Sequence, residues 1–367
     1  MINLIGYFPY SFGIAEGARG TLRALNHLNI KTNAIPLGIP SLDATNDDFI
    51  SQYSTEAAHD INIIYMNASQ ILPIVEYLPL KNKYNIGVWN WELEQFPEMW
   101  HSAFDFVDEI WTPSNFTQKS IQSSTKKKVS KVPIPISPIF NKQITKESIG
   151  LSGNRFVFFT MLDFDSAVER KNPEAVIKAF KSVFDKSDIE VCLIIKVSYN
   201  EQSAAPETKK SYNNLIQMLD GYSNIFIINE NLRKEDLNAL INMSDCFISL
   251  HRSEGYGLGP AEAMAMGKPV ISTNWSATTE FMDADSAMLV DYKTIPVFGY
   301  FYDNILKQSH QYWADPDVEH AAFFMKKIYT DAEFAKKISN NAKNIFNTSY
   351  SLDSIAKTIQ NRIGEIK

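Results

Sequence analysis

Cysteine is nearly absent. The chain of 367 residues has two, Cys192 and Cys246, each inside an apolar stretch. They read as buried small hydrophobes in strands, which excludes a disulfide framework, and no metal-ligand spacing uses them. Histidine is scarce, with six residues, and His251-Arg252-Ser253 has no partner at the spacing of a nucleophile–base triad. No apolar run approaches the ~20 residues that span a bilayer. The opening Met1-Ile2-Asn3-Leu4-Ile5-Gly6-Tyr7 has neither a basic leader nor a small-residue cleavage site, so no signal peptide is expected. Sequons such as Asn67-Ala68-Ser69 and Asn274-Trp275-Ser276 then carry no meaning, and the expected location is cytoplasmic. An excess of positive charge is also missing. The net charge is -7 and the pI about 5.5, which argues against nucleic acid as a partner, since that binding neutralises phosphates. The Gly-x-Gly-x-x-Gly dinucleotide fingerprint does not follow the first strand, which argues against hydride transfer.

What is present supports packed cores. Hydrophobic residues make up 45% and charged residues 21%, and the length suggests two domains. One basic run, Lys126-Lys127-Lys128 with Lys131, breaks the acidic trend. Its plain reading is a solvated turn. Its sharper reading is peripheral contact with the inner face of a cell membrane or with a phosphate-bearing acceptor.

Apolar runs alternate with helical spacing along the chain. Strand-like runs are Ile2–Tyr7, Ile61–Met66, Tyr84–Trp89 and Glu109–Thr112. Helical spacing covers Glu16–Asn29, Pro97–Val107 and Ser114–Ser123. Lys131–Pro138 holds three prolines and cannot be an interior strand throughout. The polar stretch 141–154 reads as a domain boundary. The alternation then restarts with strands Phe156–Met161, Val191–Val197, Ile225–Ile228, Cys246–Leu250 and Pro269–Thr273. Asn172-Pro173 caps one intervening helix, Lys234–Met243 forms another, and a short one begins at Pro260. Alternation of this kind predicts an α/β chain with parallel sheets covered on both faces. The expected domains are 1–145 and 152–345, with an amphipathic helix over Ser351–Ile366 in a terminal segment, 346–367, that packs back toward the first domain.

The segment from Leu250 to Ile271 reads strand, glycine-rich loop, helix, glycine stop, strand. Gly255, Gly257 and Gly259 let the backbone approach a ligand with no Cβ in the way. Pro260 suits a first helical position and Gly267 the left-handed position after a helix. Exposed N–H groups at a helix start attract anions. Glu262 falls in the first turn, where its carboxylate can accept two hydrogen bonds from a vicinal diol. Glu254 lies on the loop above, where it can meet a second polyol. The alternative is a plain glycine loop with two solvated glutamates. The joint occurrence of both glutamates, three alternating glycines, Pro260 and Gly267-Lys268-Pro269 is far more specific than a lone Gly-x-Gly.

This segment resembles the Glu-x7-Glu signature of GT-B glycosyltransferases, in particular glycosyltransferase family 4. Asn274-Trp275-Ser276-Ala277-Thr278-Thr279-Glu280 resembles the following donor loop, and Glu169-Arg170-Lys171-Asn172-Pro173 the pyrophosphate-binding turn. Phe12-Gly13-Ile14-Ala15-Glu16-Gly17 is similar to the N-terminal glycine loop. The resemblance implies two Rossmann-like domains facing a central cleft. It also implies a retaining transferase moving a sugar, a hexosyl group, from a UDP- or GDP-linked donor to a glycan or glycolipid acceptor in bacterial surface polysaccharide (lipopolysaccharide, O-antigen type) biosynthesis.

By the same resemblance Glu254 contacts the donor sugar and Glu262 holds the ribose. Lys171 with Arg170 neutralises the diphosphate. Gly13, Tyr256, Gly257, Leu258 and Gly259 line the donor, and the backbone near Asn229 meets the base. The family usually places an arginine several residues before the lysine. Here Asp163, Asp165 and Ser166 occupy that region, so either Arg170 or Lys171 can be the phosphate ligand, and Lys196 can add a second charge. Trp91 and Glu92, after the strand Tyr84–Trp89, either line the sugar or acceptor side or pack at a domain edge. Asp163-Phe164-Asp165 matches a metal-binding Asp-x-Asp pattern, but the pattern recurs at Asp283 and Asp315 without other hard ligands. No metal or other cofactor is therefore expected. The other readings are a sugar-nucleotide epimerase or hydrolase on the same fold, and a non-catalytic sugar-nucleotide binding module.

Overall fold

The computed structural model describes residues 1–39, 49–306 and 310–366. The chain divides into two compact units, one of residues 1–137 with 347–367 and one of residues 138–346.

The first unit is built on six strands: β1 (Ile2–Gly6), β2 (Thr32–Pro36), β3 (Ile61–Ile64), β4 (Tyr84–Val88), β5 (Glu109–Thr112) and β6 (Lys128–Lys131). All neighbours are parallel, in the order β2-β1-β3-β4-β5-β6. β1 is buried throughout, as a strand covered on both faces must be, which is why its sequence is apolar apart from Asn3. A ladder of asparagines crosses the sheet near the amino ends of three of its strands. Asn3 donates to Asn62 (2.8 Å) and Asn62 to Asn85 (2.8 Å), residues paired in register on β1, β3 and β4. The helices Gly13–His27 and Leu352–Gly364 pack on this sheet through Ala18, Leu22, Leu25, Ile355 and Ile359, all buried.

Arg362 fastens the terminal helix. Its guanidinium grips the fully buried Glu109 carboxylate with two of its three nitrogens, Nε (2.9 Å) and Nη2. Trp111 Nε1 (2.5 Å) and the Tyr84 hydroxyl (3.0 Å) donate to the same group. Of the basic run, Lys127 donates to the Val107 carbonyl and Lys128 pairs with Glu365.

The second unit carries β7 (Phe156–Asp163), β8 (Val191–Ser198), β9 (Ile225–Asn229), β10 (Cys246–Ser249), β11 (Val270–Thr273) and β12 (Met288–Val290). They form a second parallel sheet in the order β12-β11-β10-β7-β8-β9. Both cysteines are free and buried in it. An antiparallel hairpin, β13 (Tyr292–Pro296) and β14 (Tyr312–Pro316), follows. The unit begins earlier than the polar stretch 141–154. Asn141 donates to the Glu235 carbonyl and to Asp236, Asn238 donates to the Ile139 carbonyl, and Lys146 pairs with Asp245. These bonds tie residues 139–146 into the second body.

Local expectations fail at two places. The helical segment expected over Pro97–Val107 is present, but residues Glu98–Phe106 wind as a 3₁₀ helix and not with the 3.6-residue period of an α-helix. The short helix spans Leu258–Ala265, so Pro260 sits at its third position and Gly257, at φ 89°, is its N-cap. The glycines allow the chain to enter the helix two residues before proline does. Its end is as expected: Gly267 has φ 72°, and the N–H groups of Gly267 and Lys268 return to Met264 and Ala263. Among the described residues no helix is long and apolar enough to cross a membrane.

Candidate functional site

Strand order in the second sheet reverses between β7 and β10. Open parallel sheets bind ligands outside the carboxyl ends of the strands that flank such a reversal. The two loops that leave these strands are Phe164–Asn172 and Leu250–Gly257. At least six hydrogen bonds and ion pairs stitch them together, one of them from Arg252 Nη1 to the Glu169 carbonyl. Asn172 Nδ2 donates to the Leu250 carbonyl (3.0 Å), Arg252 N to the Arg170 carbonyl (2.7 Å) and Arg170 Nη1 to the Ser253 carbonyl (2.9 Å). The other two are ion pairs to Glu254, from Arg170 Nη1 to Oε2 (3.0 Å) and from Lys171 Nζ to Oε1 (2.5 Å).

Glu254 is 7% exposed. Burial alone would raise its pKa, but Lys171 and then Arg170 outweigh it and hold the carboxyl at about 2. Two cations against one carboxylate leave one net positive charge. The cations differ in freedom. Arg170 is buried and also donates to Ser166 through its carbonyl and hydroxyl. Lys171 keeps 24% of its side chain exposed. Its turn, Val168–Lys171, is bounded by the left-handed Ala167 (φ 53°) and Asn172 (φ 52°). Non-glycine residues hold that conformation only where their surroundings over-determine it.

Glu262 is buried and pairs with Lys234, the first residue of the helix Lys234–Met243. No side chain caps the helix start at Gly257, so the glycine loop presents backbone N–H groups in the first turn. A side chain at Gly259 would press within 2.7 Å of Met161 and 2.8 Å of Phe247, so that glycine serves close packing. Tyr256 is a buried ring against Phe281 (5.5 Å), and Leu258 is half-buried. The Glu254 N–H donates to the Ser276 hydroxyl (2.8 Å), which joins the 274–280 loop to this site. His251 is fully buried between the hydroxyls of Thr278 (3.2 Å) and Ser272 (3.3 Å). Burial lowers its pKa to about 4, so it is neutral at pH 7.

Lys196, 8% exposed, lies two residues before the end of β8 and donates to Ser198 (2.6 Å). Burial lowers its pKa, nearby Lys234 lowers it further, and Asp163 opposes both. Burial raises the Asp163 carboxyl, while the Asp165 N–H (3.0 Å) donates to it and Lys196 and Lys171 pull it down. Asn229 clips the ends of β8 and β9 with two bonds to the Tyr199 backbone, both 3.1 Å.

In the first unit Gly13 opens its helix, exposed, with open space where a Cβ would stand. Trp91 is 2% exposed, edge-on to Trp100 (5.0 Å), with Nε1 donating to the Gln95 carbonyl (2.7 Å). It is placed as a core side chain, next to a half-buried Glu92. The sequence reading missed Lys234 and Arg252, and held Ser276 only as part of the 274–280 loop. A cation opening the helix after β9 was the available signal for Lys234; Arg252 gave none.

Residues 142–294 match the family described as Glycosyl transferases group 1. No curated protein sequence matches. Among solved structures, a sucrose-phosphate synthase from Thermosynechococcus elongatus is 12% identical with a TM-score of 0.72, covering 100% of this chain and 98% of that one. Anabaena HepE in complex with UDP and glucose is 11% identical, TM-score 0.72, covering 99% of each chain. The pneumococcal O-GlcNAc transferase GtfA in complex with UDP and GlcNAc is 14% identical, TM-score 0.55, covering 83% of this chain and 56% of that one. The chain has the GT-B fold of α/β type, and its second unit holds the group 1 glycosyl transferase match.

Proposed function

We propose that the protein is a retaining hexosyltransferase of the family 4 type. It moves a sugar from a nucleoside-diphosphate donor to a glycan or glycolipid acceptor in surface polysaccharide synthesis, as a cytoplasmic protein with peripheral membrane contact. The observation that carries the reading is the Arg170–Lys171–Glu254 cluster at the strand reversal, inside the group 1 match. A UDP-linked donor is supported by the UDP bound in HepE and GtfA.

In this mechanism the sugar C1–O bond to the diphosphate breaks, and the acceptor oxygen bonds to C1 on the same face. The acceptor proton passes to the leaving phosphate. Negative charge grows on that phosphate, and Lys171, the more exposed cation, meets it with the N–H groups at the Leu258 helix start. Arg170 holds Glu254, whose ionised carboxylate accepts hydrogen bonds from the donor sugar. Glu262 takes the ribose diol. No metal takes part.

The test uses the purified protein with a panel of UDP- and GDP-sugars and measures release of UDP or GDP, with nucleotide binding followed by thermal shift. Glu254→Ala is expected to lower turnover by about 10²–10³-fold, the usual loss for one transition-state contact, while nucleotide binding persists. Unchanged turnover in that variant would refute the reading. An epimerase or hydrolase is favoured instead if free sugar or epimer accumulates at full rate without acceptor.

A further inference from the structure

Arg252 lies two residues before Glu254 and has no place in the mechanism above, yet it touches three segments at once. Its Nε and Nη2 reach Asp315 Oδ1 at 3.0 and 2.9 Å, and Nη1 donates to the Glu169 carbonyl. The guanidinium lies over the rings of Phe298 (5.1 Å) and Trp313 (5.8 Å). Its own N–H donates to the Arg170 carbonyl (2.7 Å), and its carbonyl accepts from Ala314 N–H (3.0 Å). One residue therefore binds the loop after β10, the basic turn Val168–Lys171 and the β13–β14 excursion. Gly299, in the excursion at φ 114°, lies against the Glu169 side chain, where an added Cβ would come within 3.0 Å.

The basic turn is four residues long, with a left-handed residue before and after it. A single turn, closed by the Arg170 and Lys171 N–H groups on the Ala167 carbonyl and the Asn172 N–H on the Val168 carbonyl, holds the direction of two long cationic side chains only weakly by itself. Its direction is set from outside, and Arg252 supplies bonds to two successive carbonyls of that turn, those of Glu169 and Arg170.

We propose that Arg252 is a positioning residue for transfer: it orients the turn that carries Arg170 and Lys171, and so governs the rate of the chemical step and not the affinity for the donor. This rests on the glycosyltransferase reading above. A loosened turn keeps its charge and still attracts a diphosphate. It no longer meets the charge that grows as the C1–O bond breaks, and only that charge changes the rate. Lysine cannot replace Arg252. A planar fork with five donors can bridge a carboxylate and a carbonyl while lying against two aromatic rings, and an ammonium cannot hold all of these contacts at once.

The experiment compares full-length wild type, Arg252→Lys and Asp315→Asn by release of UDP or GDP from UDP-glucose, UDP-GlcNAc and GDP-mannose, each with a panel of mono- and oligosaccharide glycosides as acceptors, with kcat, donor KM and Tm for each. Arg252→Lys is expected to keep Tm within about 3 °C. Its donor KM is expected to stay within about threefold and its kcat to fall at least about tenfold. Asp315→Asn, which frees one side of Arg252, lowers kcat in the same direction by a smaller factor and reports even if Arg252→Lys does not fold. The inference is overturned by an unchanged kcat in both variants, by a raised KM at constant kcat, or by kcat falling only in proportion to lost folded protein. Absence of turnover by the wild type on every donor instead sinks the glycosyltransferase reading on which the proposal stands.

Discussion

Lys171 and Glu254 are 83 residues apart in sequence and 2.5 Å apart in space. Their contact joins the ends of two strands that lie side by side only because the sheet reverses its order between them.

The pairing makes Glu254 a source of pH-dependent stability. Its folded pKa, about 2, lies below the ordinary 4.5. The contribution is therefore complete above pH ~5 and is lost as pH falls through the window from 4.5 to 2, amounting to ~3 kcal/mol. Urea unfolding of wild type and Glu254→Gln at pH 7 and pH 3 checks this. The stability gap between the two proteins should narrow markedly at the lower pH, and a constant gap would contradict the assignment.

His251 acts over a different range. Burial sets its folded pKa at about 4 against 6.5 when free, so the unfolded chain takes up a proton first. Stability should fall from pH 6.5 downward to pH 4, by on the order of 3 kcal/mol in total. His251→Asn should flatten the Tm-versus-pH curve in that window. A curve that keeps its slope assigns the acid sensitivity elsewhere.

Arg362 and Glu109 form a buried pair within the first unit. Removing one partner leaves a charge stranded, so Arg362→Met is expected to cost about 3–5 kcal/mol. Replacing both, with Glu109→Gln and Arg362→Met together, should recover at least about half of that loss. A strictly additive double variant in chemical denaturation would show that the two residues are uncoupled.

Metal removal distinguishes two chemistries. EDTA is expected to leave nucleotide release unchanged. Loss of activity that manganese restores would return the Asp163–Asp165 pair to the mechanism as metal ligands.

Strands covered on both faces were plain in the sequence, because Ile2–Gly6 and Val191–Ser198 are apolar runs broken only by Asn3, Lys196 and Ser198. β2, β6 and β13 were not. Their sequences, Thr-Asn-Ala-Ile-Pro, Lys-Val-Ser-Lys and Tyr-Lys-Thr-Ile-Pro, are short and mostly polar, and they lie at sheet edges or in the hairpin, where little is buried. The site followed the same division. Glycines, glutamates and the basic turn cluster locally and could be read. The partners of Arg252 and Glu262 come from distant segments. Asp315 lies 63 residues beyond Arg252, and no local pattern announces such a pair. Trp91 marks another limit, since an aromatic at a strand end fits either a sugar platform or a core until its neighbours are known.

The bond between Arg362 and Glu109 also orders the events of synthesis. Glu109 is made 253 residues before its partner, and the whole of residues 138–346 is translated in between. At ~5–20 residues per second, the carboxylate waits roughly 13–50 s for its counter-charge. The second body is free to fold on the ribosome during that interval. The first begins earlier and finishes later, and until Arg362 emerges it offers an unsealed helix face to whatever chaperone is near.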